Sequence, residues 1–171
     1  MTYPTILRRA TGAVLAIPVA TALAACGSSS DTASESSAPA ISDPCTAVGD
    51  NLMRELDLNP ATRTPVAPAA TETSACEVSS SDTTVRLSQS TTTFEAYRDS
   101  HQGNLIGVNV NQRPAVIVRS QSQCTLAMKD NAGITSLRVT VSVTALEWGM
   151  NPCGHIESYA TTIEPTIPPL A

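Results

Sequence analysis

Five cysteines, two histidines and the run Asp99-Ser100-His101 are the residues of this 171-residue chain whose types could do chemistry. Asp, Ser and His supply the groups of a hydrolytic triad. Triad members meet across a fold, however, and three consecutive side chains point in different directions. No G-x-S-x-G elbow presents Ser100, so the run is read as a polar helix end with His101 in solvent. His155 falls in the first turn of a predicted helix, where positive charge is disfavoured, and is read as a surface or packing residue. The carboxylates are scattered singly, and no phosphate loop or dinucleotide fingerprint occurs. No catalytic residue is assigned. Zinc would need clustered thiolates and imidazoles, yet C-x-x-C is absent and only Cys153 and His155 lie close together. Neither a metal nor a cofactor is expected. Two residues remain as candidate contacts for a ligand or partner. Arg113 competes with a role as buried ion pair or turn donor. Trp148, the single Trp, is read first as closing the core.

Cys26 stands apart from the other four cysteines. Arg8 and Arg9 precede an apolar run from Ala13 to Ala24, interrupted by Pro18. The run has the length of a signal-peptide core and falls short of the about 20 residues that span a bilayer. Leu23-Ala24-Ala25-Cys26 resembles the lipobox of bacterial lipoproteins. That resemblance implies a signal peptide over residues 1–25, cleavage before Cys26, and lipidation of the Cys26 sulfur, often with a further acyl chain on its new amine. Two or three chains hold a protein on a bilayer where one is marginal. The expected address is the outer face of the cell membrane, lipid-anchored and reached by the general secretory route. Thr11 and Gly12 stand where a twin-arginine signal prefers apolar residues. An ordinary secretory signal that leaves Cys26 as a spare thiol is the alternative.

Cleavage would remove two arginines and leave eight basic against fifteen acidic residues, a net charge of −7. Such a chain is a poor match for nucleic acid, whose affinity comes from Lys and Arg neutralising phosphates, and no nucleic-acid partner is expected. Residues 26–42 are mainly Ser, Ala, Thr and acid, with too little to bury to offset their ordering entropy, and read as a flexible tether. Residues 43–171 suffice for one core and one domain.

Within that domain, Asp43-Pro44-Cys45 is a helix start, with Asp as N-cap and Pro at the first helical position. Cys45, Val48, Leu52 and Leu56 then make one apolar stripe, ending at Asn59-Pro60. Residues 61–74 read as a loop. Residues 75–78 and 83–90 read as a hairpin, followed by a short helix over 92–100 with Phe94 and Tyr97 on one side. Strands are predicted over 115–119, 124–129 and 134–145. The last is the clearest, with Leu137, Val139, Val141 and Val143 alternating with polar residues. Asn151-Pro152-Cys153 repeats the first helix start, with the stripe Cys153, Ile156, Ala160 and Ile163 behind it. The fold class is α+β: an antiparallel sheet of about five strands covered by two amphipathic helices. Four oxidisable cysteines allow three pairings. Joining each helix-start cysteine to its neighbour in sequence gives Cys45–Cys76 and Cys124–Cys153, each pinning a helix to the sheet.

The signal and lipobox, Asp43-Pro44-Cys45, Cys76, Arg113-Pro114-Ala115, Cys124 and Asn151-Pro152-Cys153 together resemble an actinobacterial lipoprotein family, domain of unknown function 3558. The resemblance covers nearly the whole chain and implies an α/β/α sandwich like that of PsbP-type photosystem proteins. It supplies no catalytic residues. Two positions depart from the family: Cys76-Glu77-Val78 replaces a common Cys-x-Trp, and Gln112-Arg113 replaces a frequent Gly-Arg. The function expected is that of an anchored, non-catalytic domain binding an envelope protein or a small apolar ligand. The alternative is a secreted hydrolase with an unpatterned Ser–His site, which requires a histidine within hydrogen-bond reach of a serine in a cleft.

Overall fold

A computed structural model describes residues 43–171. The expected leader, the lipobox with Cys26, and the tether to residue 42 lie outside the described residues. At the first of these, Asp43 Oδ1 accepts a hydrogen bond from the Cys45 amide at 2.9 Å, and Pro44 opens helix α1 (Pro44–Ala47). The helix lasts one turn. Val48 is extended and Gly49 caps a second segment, α2 (Asp50–Glu55), so the single helix expected here is two. Of the stripe, Cys45, Val48 and Leu56 are buried, whereas Leu52 is half-buried and Met53 takes the inward place beside it.

The strands are β1 (Asn59–Pro65), β2 (Glu72–Ser79), β3 (Thr83–Ser90), β4 (Leu105–Val110), β5 (Arg113–Arg119), β6 (Gln123–Asp130) and β7 (Gly133–Val141). They form one antiparallel sheet in the order β1-β2-β3-β7-β6-β5-β4. The α+β class holds, and the strand number is corrected from about five to seven. The two additional strands are the edges. β1 is mostly exposed and carries two prolines, and β4 is half exposed with Gly107 inside it. Edge strands tolerate Pro, Gly and polar residues because one row of backbone groups faces solvent.

Alternation along each strand divides the sheet into two faces. One face carries Val85, Leu87, Ile117, Leu126, Leu137 and Val139, packed with Met53 of α2 and with Ile156, Ala160 and Ile163 of α5 (Ile156–Ile163). The other holds a smaller cluster of Val116, Ala127 and Ile134 beneath Phe94 of α3 (Phe94–Ser100). Helices therefore lie on both faces, and all are short. Strand β7 stops at Val141, four residues earlier than its sequence alternation predicts. Ser142 Oγ accepts from the Ala145 amide at 3.1 Å and starts helix α4 (Val143–Glu147).

Disulfides join Cys45 to Cys76 and Cys124 to Cys153, with Cα atoms 5.1 and 5.2 Å apart. The first ties α1 to β2. The second ties β6 to the turn before α5, where Asn151 Oδ1 accepts from the Cys153 amide at 2.9 Å, the same cap that Asp43 makes for Cys45. Loops of 31 and 29 residues give each bridge roughly 3–4 kcal/mol in the chain-entropy account.

Candidate functional site

The Ser–His pair meets the distance a hydrolase needs and fails on proton roles. Ser100 Oγ lies 3.0 Å from His101 Nδ1 at the end of α3. Both groups also reach the Tyr97 carbonyl at 2.8 Å, a pure acceptor that takes the hydroxyl proton and the Nδ1 proton together. Nδ1 is then a donor and has no lone pair for a serine proton. Asp99 takes a hydrogen bond from Gln102 at 3.2 Å. The three residues close a helix end. His155 is the exposed N-cap of α5, its ring 6.3 Å from that of Tyr159. Among the described residues, no cluster of three or more His, Cys, Asp or Glu could hold a metal.

Arg113 is 4% exposed. Its Nε donates to Glu164 at 2.8 Å, Nη1 to the Lys129 carbonyl at 2.9 Å, and Nη2 to the carbonyls of Pro168 at 2.8 Å and Ile167 at 3.3 Å. Four bonds to one fork satisfy a buried guanidinium. Arg113 thus straps the segment after α5 to β5 and β6, and it is not open to a ligand.

Trp148 does the reverse of closing the core: it is 79% exposed. Helix α4 buries Ala145 and half-buries Leu146 against the larger core, which turns Val143 outward. Gly149, with φ 84°, ends the helix, and the amides of Gly149 and Met150 return to the carbonyls of Leu146 and Ala145, both at 2.9 Å. This left-handed glycine cap leaves Trp148 on the solvent side. Val143 is 73% exposed and Met150 39% exposed, so three large apolar side chains within eight residues face water. Only Trp148 of the three stood out as a candidate in the sequence. Val143 was hidden by the alternation of β7, which it continues in sequence and leaves in structure.

The sheet and the helices over its larger core enclose an apolar cavity lined by Pro44, Met53, Val78, Leu87, Leu137 and Ile163, among others, of about 20 Å³. That is space for about one water molecule, against the roughly 300–1,000 Å³ of small-molecule sites. No helix among the described residues is long and apolar enough to cross a membrane.

Fold and surface together define a disulfide-stapled α+β domain with an apolar helix end turned to solvent and no assembled catalytic group among the described residues. The chain belongs to the DUF3558 family, described as a protein of unknown function, whose model matches residues 21–166. Neither a curated protein nor a solved structure matches it.

Proposed function

We propose that this chain is an extracytoplasmic lipoprotein, anchored to the outer face of the cell membrane through acyl chains on Cys26, whose domain is a non-catalytic binding module for a partner protein. The observation that carries the reading is the exposure of Trp148 together with Val143 and Met150. Trp is the side chain whose burial most often dominates an interface, and exposing one beside two other apolar groups is costly unless something covers it. The α4 segment carries Glu147 and no Lys or Arg, and the turn residue Asp82 adjoins it, its main-chain carbonyl accepting the Ser142 amide at 2.9 Å. An acidic border disfavours an anionic lipid surface and matches a protein whose apolar patch has a basic rim. The size of the internal cavity favours this partner over a small apolar ligand. We infer, too, a PsbP-type α/β/α arrangement, which helices on both faces of the sheet support, and an actinobacterial source.

A photo-cross-linking side chain at position 148, in the full-length protein on cells that produce it, tests the docking surface. One discrete adduct is expected, lost with Val143→Asp and missing when the probe is moved to Glu55 on α2. The same adducts at both positions, or none at 148, would overturn it. Anchoring is read separately, by whether Cys26→Ser sends the protein from the membrane into the medium.

A further inference from the structure

The sheet face under α3 carries a second, polar site that neither the disulfides nor the α4 surface uses. A cleft of about 410 Å³ opens between the end of α3 and strands β5 to β7, lined by Tyr97, His101, Arg119, Gln123, Thr125 and Arg138, among others. Arg138 lies inside the sheet, directly across from Arg86 on β3 and from Thr125 on β6. Like charges in directly opposed positions repel. The two arginines are treated differently. Arg86 is held by Glu72 and Glu77. Arg138, half-buried, has no carboxylate within ion-pair distance and no side-chain hydrogen bond among the described residues; nor has Arg119.

A guanidinium taken partly out of water with no counter-ion is costly to keep. No buried polar side-chain atom among the described residues lacks a partner, so the partnerless nitrogens of Arg138 open to solvent within the cleft. The neighbouring groups suit an anion as well. Burial pushes the Tyr97 phenol up against the opposing pull of Arg138, so its hydroxyl keeps its proton and can donate. Its ring lies 4.3 Å from that of His101, giving the cleft an aromatic wall. Thr125 and Gln123 add a hydroxyl and an amide.

We propose that this cleft binds a small organic molecule through an oxyanion, a phosphate or a carboxylate, gripped by Arg138 with Arg119 as the second cation. A planar fork matches either oxyanion in two-point fashion. The volume lies within the range of small-molecule sites and exceeds what a bare ion needs. The chain as a whole is acidic, so a local pair of unneutralised arginines is the feature that would draw an anion to this face. This inference is independent of the docking surface at Trp148, and each can fail alone.

Full-length protein in a neutral detergent, titrated calorimetrically with inorganic phosphate and separately with succinate against matched sodium chloride, tests it. Saturable binding of one or both anions is expected, with a rise in melting temperature. Binding of phosphate alone assigns a phosphate ligand, and of succinate alone a carboxylate. Arg138→Gln should weaken binding by at least about tenfold, the loss of a charge-assisted pair of hydrogen bonds. Arg138→Lys should recover part of it, and Arg119→Gln should weaken it by several-fold with the fold intact. Arg54→Gln, on exposed α2, should change nothing. Binding of neither anion above chloride, or affinity equal to wild type in both Arg138→Gln and Arg119→Gln, would overturn the proposal.

Discussion

Asn111 and Gln112 turn β4 into β5 with φ 47° and 82°. Both central residues of a two-residue hairpin of this hand need positive φ, which Asn tolerates and which the second position normally gives to Gly. Gln112 carries a Cβ into that region. Gln112→Gly should raise stability by about 1 kcal/mol, read from the midpoint of a denaturant melt; an unchanged or lower midpoint would show that the turn carries no strain. Val78 is 7% exposed and lines the apolar cavity of about 20 Å³. That room accepts roughly one methylene. Val78→Ile should be stabilising by about 0.5–1 kcal/mol, whereas Val78→Trp should cost roughly 1–3 kcal/mol by overpacking. Chemical melts of the two variants side by side decide it, and equal effects would mean the neighbours reshape freely.

At the level of elements, pattern and chemistry were readable where one face of a segment is buried. Leu137, Val139 and Val141 announced β7, the hairpin β2–β3 followed from its alternation and its polar turn, and Asp43-Pro44 marked a helix start that the Asp43 cap fulfils. Edge strands β1 and β4 escaped because solvent on one side relaxes the alternation that betrays a strand. Helix α4 escaped because Val143 prolongs the β7 pattern, and a single serine cap at Ser142 overrides it. Of the surface groups, Trp148 could be named from its rarity but not oriented. Arg138 read as one more outward residue, since nothing in one dimension shows that its cross-strand neighbour Arg86 takes both nearby glutamates. That Arg86 network sets a pH dependence. Burial pushes the Glu72 carboxyl up, but hydrogen bonds from Arg86 and the Ala69 amide outweigh it and hold the carboxyl below its ordinary value. A carboxylate lowered on folding contributes stability that is complete above its unfolded value and drains away as pH falls through the folded one. The melting temperature should therefore drop as pH is taken down through the acidic carboxylate range. Glu72→Gln should lose roughly 1–3 kcal/mol at neutral pH and show a shallower acid decline. An acid limb as steep as in wild type would remove Glu72 from the account.

At the scale of the whole domain, residues 43–171, two disulfides and a two-faced sheet hold a larger core that has room for little beyond its own side chains. What such a body can offer is surface, and its most expensive surface to leave bare is the end of α4. The most direct measurement is hydroxyl-radical footprinting of Trp148 and Met150 by mass spectrometry, in the purified protein and on intact cells. Both side chains should oxidise readily in the isolated protein and be strongly protected on the cell, while a reference peptide around exposed Glu55 of α2 labels equally in both. Equal oxidation of Trp148 in the two settings would contradict the claim that a partner covers it.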